Sequence, residues 1–343
     1  MELSGTILRG RDFEPVEGTI YVEDGEISAI EEAPSSDGVD SDRIVLPAFV
    51  NAHTHLGDSI AKGAGEGLSL EELVAPPDGL KHRLLRQADP EELIAAMERS
   101  LRYMQAGGTG ACIEFREGGV AGVEQLRAAA DAEGVDLEPV IMGREEIEVL
   151  DTADGYGASG ANDANFEAER AAAREAGKPF GIHAGEVDAS DVDPAMDLDP
   201  DFLVHMVHAT DDHLDRLDDR QTPVVVCPRS NLVTDVGLPP IADLAERTTV
   251  ALGTDNVFLN SPSMFREMAF TAKWTGLPSA EVLAMATYRG AEIAGLDWGV
   301  LEAGRPAKLC VLDGDTDNLA GAKDPVRAVV RRAGHADVER VVL

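Results

Sequence analysis

The sequence predicts an α/β protein, a (β/α)8 TIM barrel carrying a small β-sandwich formed by the N- and C-terminal segments. Three observations predict it. Strand-like and helix-like segments alternate through the middle of the chain over ~250 residues, the usual span of such a barrel. Both ends show instead the short runs and tight turns of antiparallel strands. Histidines and carboxylates gather at the C-terminal ends of the strand-like segments, the face on which barrels carry chemistry.

Residues 18–23 and 26–30 are alternating runs around Asp24-Gly25, a strong hairpin signal. Lys308–Asp313 and Val326–Val330 have the same β character. Residues 1–46 and 300–343 are therefore expected to compose the sandwich, and 47–299 the barrel. The barrel strands are expected at 44–52, 109–115, 137–143, 147–151, 179–184, 202–207, 223–227 and 249–254, the fourth having the weakest pattern. Helices are expected at Pro90–Gln105, Val120–Glu133, Phe166–Ala176 and Asp211–Asp219. Eight strands with intervening helices favour a closed barrel over an open doubly wound sheet.

Of 343 residues, 64 are acidic and 29 basic, a formal net charge of −35. The acidic residues are spread along the whole chain, like the surface of a halophile's protein, and point to a halophilic archaeon as source. Such a charge opposes binding to nucleic acid or to an anionic membrane. Three widely spaced cysteines, Cys112, Cys227 and Cys310, make no disulfide framework. No signal-like N-terminus and no membrane-length apolar run are present, so a cytoplasmic location is expected.

The stretch Val50-Asn51-Ala52-His53-Thr54-His55-Leu56 ends the first barrel strand. Residues two apart on a strand face the same way, so His53 and His55 present two imidazoles to one side, half of a divalent metal site. The fifth strand leads into His183-Ala184-Gly185-Glu186 and the sixth into Val204-His205-Met206-Val207-His208. The seventh leads into Cys227-Pro228-Arg229-Ser230-Asn231 and the eighth into Gly253-Thr254-Asp255-Asn256. Gly304-Arg305-Pro306-Ala307-Lys308-Leu309 closes the chain's set of motifs.

Jointly these segments resemble the amidohydrolase superfamily, in the branch of cytosine deaminase, the triazine hydrolases and S-adenosylhomocysteine deaminase. The likeness spans nearly the whole chain. It implies one divalent metal per chain, held by His53, His55, His183 and Asp255, with zinc favoured and iron(II) as the alternative. It also implies Glu186 and His205 as the proton-handling pair. Physical chemistry agrees with these roles. Zinc lowers the pKa of bound water to ~7, supplying hydroxide at neutral pH. Glu186, three residues beyond His183, lies near the metal without ligating it, as a general acid/base requires. His205 is placed to polarise the hydroxide and stabilise the intermediate, and Asp255 to take the water's proton. His205 is preferred over His208, which has left the strand and is expected to support or cap. The fourth-strand region, Glu148–Gly155, lacks the lysine that bridges two metals in binuclear members, so a single metal is expected.

The segment from Gly57 to Asp89, including Gly63-Ala64-Gly65-Glu66-Gly67 and Pro76-Pro77-Asp78-Gly79, is expected either to cover the pocket or to be a surface insertion. The acidic connection from Val187 to Asp201 leaves no room for a full helix. Candidate substrate contacts are Glu114, Arg116, Arg144, His208, Ser230, Asn231 and Asn256, although Glu114, Arg116, Arg144 and Glu145 are equally suited to pairing among themselves. His82, His213 and His335 are expected to be solvated, His82 being nearest the mouth. The expected activity is hydrolysis of carbon–nitrogen bonds other than peptide bonds, foremost deamination of a nucleobase-like or other nitrogen heterocycle. Cyclic amide opening, as in imidazolonepropionase-like relatives, and chlorohydrolysis are alternatives on the same site. A non-catalytic metal-binding protein is the alternative from another class. The expected partners are the small heterocyclic substrate and, at most, a second copy in a homodimer.

Overall fold

The computed structural model describes residues 1–33, 41–75 and 78–343. Pro76 and Pro77, part of the expected cover, lie outside the described residues.

Nine parallel strand segments form the central sheet, in the order Val250–Leu252, Val224–Val226, Phe202–His205, Phe180–Ala184, Gly155–Ala158, Glu138–Gly143, Thr109–Arg116, Phe49–His55, Asp255–Asn256. The two outermost segments belong to one interrupted eighth strand. Val250–Leu252 pairs with Val224–Val226, whereas Asp255–Asn256 pairs with Phe49–His55, so the sheet returns on itself as an α/β barrel. The interior is filled by Ala52, Ile113, Phe115, Met142, Phe202, Val204, Val225, Cys227 and Ala251. A larger apolar shell joins the outer strand faces to the surrounding helices.

Three expected elements are corrected. The run 147–151 is a 3-10 helix, and the fourth strand is Gly155–Ala158. Val149 and Leu150 are buried, but their apolar side chains serve packing: a side chain on Gly143 would meet Val149 Cβ at 2.6 Å. The true strand, Gly-Tyr-Gly-Ala, has little β propensity, and its bare Gly157 makes room for the Phe115 ring. Residues 44–52 are two strands, Arg43–Pro47 in the terminal sheet and Phe49–His55 in the barrel. Pro325–Arg331 is a helix, not a strand: the Asp324 side chain accepts from Arg327 N, Pro325 opens the first turn, and Val326, Val329 and Val330 bury one face.

The chain ends do join, in one six-stranded sheet ordered Val338–Val342, Leu309–Asp313, Arg43–Pro47, Glu2–Arg9, Glu14–Glu23, Glu26–Glu32. A sandwich was expected; the strand pairing links both termini into one continuous six-stranded sheet, whose edge strand Glu26–Glu32 also bonds to Arg305 and Gly304. The Asp24-Gly25 turn is as expected, with both residues at positive φ (50° and 83°). Ile7, Ile20, Ile27, Val45, Leu309 and Val311 fill that sheet's core. The connection after Glu186 holds a short helix, Val192–Asp197. Among the described residues no helix is long and apolar enough to cross a membrane.

Candidate active site

The first strand delivers His53 and His55 to the barrel mouth, with ring centroids 4.9 Å apart. His183, from the fifth strand, lies 5.0 Å from His53 and 5.6 Å from His55, centroid to centroid. Asp255 Oδ1 completes the group at 3.5 Å from His53 Nε2 and 3.6 Å from His55 Nε2. The eighth strand can come this close only because residue 253 is glycine, where a Cβ would stand 2.7 Å from His53 Cβ and 2.8 Å from its backbone nitrogen. Asn51 fastens the same seam: its amide donates to Thr254 Oγ1 at 2.8 Å and its carbonyl accepts from Thr254 N at 3.0 Å.

These four side chains fit a divalent ion. His53 is fully buried, yet neither ring nitrogen has a hydrogen-bond partner, an expensive arrangement unless an ion fills it. His183 Nδ1 lies 2.8 Å from the Ala158 carbonyl and His55 Nδ1 3.0 Å from that of Phe115, which leaves both Nε2 atoms free as ligands. Burial pushes the His53 imidazole down to about 3 and drives His55 and His183 the same way, keeping them neutral. For Asp255 burial acts upward, but the facing imidazoles outweigh it and hold the carboxyl well below its ordinary range.

Beside this group sits a second pair. His205 Nε2 and Glu186 Oε2 are 3.5 Å apart. The Asn231 amide nitrogen donates to Glu186 Oε1 at 3.4 Å and to His205 Nδ1 at 3.1 Å. With Nδ1 accepting, the ring proton of His205 sits on Nε2, the atom turned to Glu186. Burial raises the Glu186 carboxyl above its ordinary value, against the pull of His205. Ser230 Oγ donates to Asp255 Oδ2 at 2.6 Å. His205 and Asp255 both hold positive φ, 80° and 58°, a strain that the surrounding bonds fix in place.

A cavity of about 450 Å³ opens over these groups, lined by His55, His183, Glu186, His205, Asp255 and Asn256 on its floor. The segment after the first strand roofs it. That segment forms the 3-10 helix Leu56–Ala61 and the helices Leu70–Val74 and Leu80–Gln87, and Ser69, Leu70, Val74, Lys81 and His82 face the cavity. The roof rests on the loop after the eighth strand through Ala61, Leu73 and Phe258, with Leu80 and Leu84 against them.

The expected substrate contacts divide. Arg144 and Asn256 line the cavity. Glu114 and Arg116 do not. Glu114 is buried behind the first strand, accepting from Leu56 N and Thr54 Oγ1 at 2.7 Å, and burial pushes its carboxyl up to about 8. Arg116 donates to the Gly122 carbonyl and to Gln125. Strand alternation explains both: Phe115, with its ring 4.8 Å from His53, points inward, so residues 114 and 116 point outward. Ser230 and Asn231 touch Asp255, Glu186 and His205 but not the cavity, and His208 is also absent from its lining. His213 is buried at the start of the helix Asp211–Arg220, and His335 stacks on Tyr103; neither is simply solvated.

Sequence reasoning missed Glu117 and Lys81. Glu117 continues the inward alternation one step beyond Phe115, which was the available signal. Its Oε1 lies 2.8 Å from His55 Nδ1 and 2.6 Å from Lys81 Nζ, and Arg144 approaches at 3.5 Å. Burial acts to raise the Glu117 carboxyl, but Lys81 and His55 prevail and hold it well below the usual range.

The fold and the clustered imidazoles and carboxylates at the barrel mouth are those of a metal-dependent hydrolytic enzyme. The chain belongs to the amidohydrolase family, whose model matches residues 44–342. A protein of Methanothermobacter thermautotrophicus with only a provisional aminohydrolase name is 36% identical over 380 residues, covering 99% of this chain and 96% of the relative. A Halobacterium salinarum protein named 5-methylthioadenosine/S-adenosylhomocysteine deaminase is 26% identical, covering 100% of this chain and 90% of the relative. The crystal structure of a Xanthomonas campestris adenosine deaminase with bound zinc superimposes with a TM-score of 0.77 at 20% identity, over 100% of this chain and 91% of that one.

Proposed function

We propose that this enzyme is a mononuclear aminohydrolase that deaminates a nucleobase-like or other nitrogen heterocycle. The observation that carries the proposal is the Glu186–His205 pair, 3.5 Å apart beside the His53, His55, His183 and Asp255 cluster on the floor of a roofed cavity. A metal-binding protein needs the cluster alone; the second pair is what hydrolysis requires.

His53, His55, His183 and Asp255 would hold a divalent ion, which when bound would supply the acidity to ionise a water near neutral pH. Asp255 takes one proton of the attacking water on the carboxylate whose other oxygen is fixed by Ser230. Glu186 protonates the ring nitrogen of the substrate as the new carbon–oxygen bond forms. The proton taken by Asp255 then passes to the amino group, which leaves as ammonia as the carbon–nitrogen bond breaks, while the ionised Glu186 recovers a proton from the added hydroxyl as the carbonyl forms. His205 presents its Nε2 proton to the oxygen on which negative charge develops. Arg144 and Asn256 are the substrate contacts supported by their place in the cavity wall. The names of the Halobacterium salinarum and Xanthomonas campestris relatives support an amino-substituted purine as the first class to try.

A screen of amino-substituted purines, pyrimidines and pterins for ammonia release tests this. Release from at least one class is expected; consumption of cyclic amides with no ammonia from any heterocycle would overturn it. Elemental analysis is expected to give about one metal per chain, and a reproducible two would overturn the mononuclear assignment.

A further inference from the structure

We propose that Lys81 and Glu117 are positioning residues through which the cavity roof holds the metal ligand His55. This rests on the reading that His55 binds a metal. Lys81 belongs to the roof helix Leu80–Gln87, and its ammonium is almost wholly buried, at 4% side-chain exposure. It reaches down to Glu117 Oε1 at 2.6 Å, and the same oxygen stands 2.8 Å from His55 Nδ1. The carboxylate shares Nδ1 with the Phe115 carbonyl at 3.0 Å, and two acceptors there fix the proton on Nδ1, leaving Nε2 unprotonated and aimed at the atoms around Asp255 Oδ1, 3.6 Å away. One oxygen thus joins a roof cation to the far side of a metal ligand.

The consequence is mechanical as well as electrostatic. Glu117 follows directly on the second strand, whereas Lys81 is carried by the roof segment, which also rests on the loop after the eighth strand through apolar contacts to Phe258 and through Asp58, which accepts from Asn256 Nδ2 and Phe258 N. When the roof is seated, Lys81 neutralises Glu117 and holds its carboxylate against His55.

The test measures zinc affinity of the full-length protein by competition with a chromophoric chelator, with the melting temperature of each metal-free variant recorded alongside. Glu117→Gln and Lys81→Met are each expected to weaken zinc by about 10- to 100-fold. The double variant is expected to lie within about threefold of Glu117→Gln alone, because both act through one contact. Lys81→Arg is expected to restore most of the affinity lost in Lys81→Met. Lys81→Gln, which keeps a donor at that position, is a second variant with less demand on folding. Leu84→Ala loosens the roof without touching the relay, and its zinc affinity is expected to match the parent's. Affinity unchanged within about twofold in the folded Lys81 and Glu117 variants would overturn the relay. So would fully additive losses in the double variant, or an equal loss in Leu84→Ala. If the parent protein itself takes up no zinc, the metal reading falls, and that outcome is distinct from failure of the relay alone.

Discussion

Ser230 and Asn231 do their work one bond away from where chemistry is proposed. Asp255 Oδ2 is held by the Ser230 hydroxyl at 2.6 Å, which leaves only Oδ1 toward the imidazole cluster. Ser230→Ala removes that hold from a buried carboxylate, and zinc affinity is expected to fall by about 10- to 100-fold. Chelator competition measures it; a parent-like affinity would show that Asp255 is oriented by other contacts. Glu186→Gln keeps the shape of the side chain and its contact with Asn231 but removes the proton carrier. Turnover is expected to drop by ~10²–10⁴-fold with zinc content intact. Loss of zinc in that variant would make Glu186 a ligand instead. Away from the site, burial pushes the Glu267 carboxyl up to about 7, against the pull of Arg229 at 3.1 Å. Its folded pKa exceeds the unfolded value, so its contribution is full below the ordinary carboxyl range and is lost as pH rises through about 7. The melting temperature of the parent relative to Glu267→Gln is therefore expected to decline across that window. A difference that grows with pH would mean that Arg229 dominates burial.

At the level of elements, the site depends on a seam between the first and eighth strands. Asn51 ties Thr254 on both its backbone and hydroxyl, and Gly253 lets the two strands approach to where only a hydrogen fits. Gly253→Ala is expected to destabilise the fold by about 1–3 kcal/mol through overpacking and to weaken metal binding as Asp255 is pushed away. Thermal unfolding with and without zinc checks both parts. A stable variant with parent-like zinc affinity would show that the seam can breathe. The same seam explains why the eighth strand is interrupted at residues 253 and 254, its two halves facing different neighbours. The roof is the complementary element. It grows directly out of the strand that carries His53 and His55, so it is anchored at the imidazole cluster on one side and at Phe258 on the other.

For the whole molecule the dominant quantity is a formal net charge of −35 on 343 residues. Like charges repel across the folded surface, and added salt screens them, with a Debye length of ~10 Å at 0.1 M and ~3 Å at 1 M. The melting temperature is expected to rise as sodium chloride increases over that range. A flat or falling profile would mean that the many surface ion pairs, such as Arg43–Glu339 and Arg247–Asp215, lose as much to screening as the repulsion gives back.

The alternation of strand and helix, the terminal strands and the residues at the strand ends were legible in the amino-acid order, because each depends on local periodicity. His53 and His55 share a face by the pleat of one strand, and the same pleat would have selected Glu117 over Glu114 and Arg116 had it been carried from Phe115. Other features depend on neighbours far away in the chain. Gly155–Ala158 is a strand because Phe115 and Met142 fill the space its glycines leave, not because of its own propensity. Pro325–Arg331 is a helix because its cap and its buried valine face outweigh β-branched composition. Lys81 is an ordinary polar residue in the sequence; only the roof's descent onto the second strand makes it the partner of Glu117. The sequence by itself put His53, His55, His183, Glu186, His205 and Asp255 at the ends of barrel strands, because that follows from local pattern. The tertiary structure alone decided what holds them in place, since a positioning contact is defined by the far side of a side chain and local pattern carries no record of what lies there.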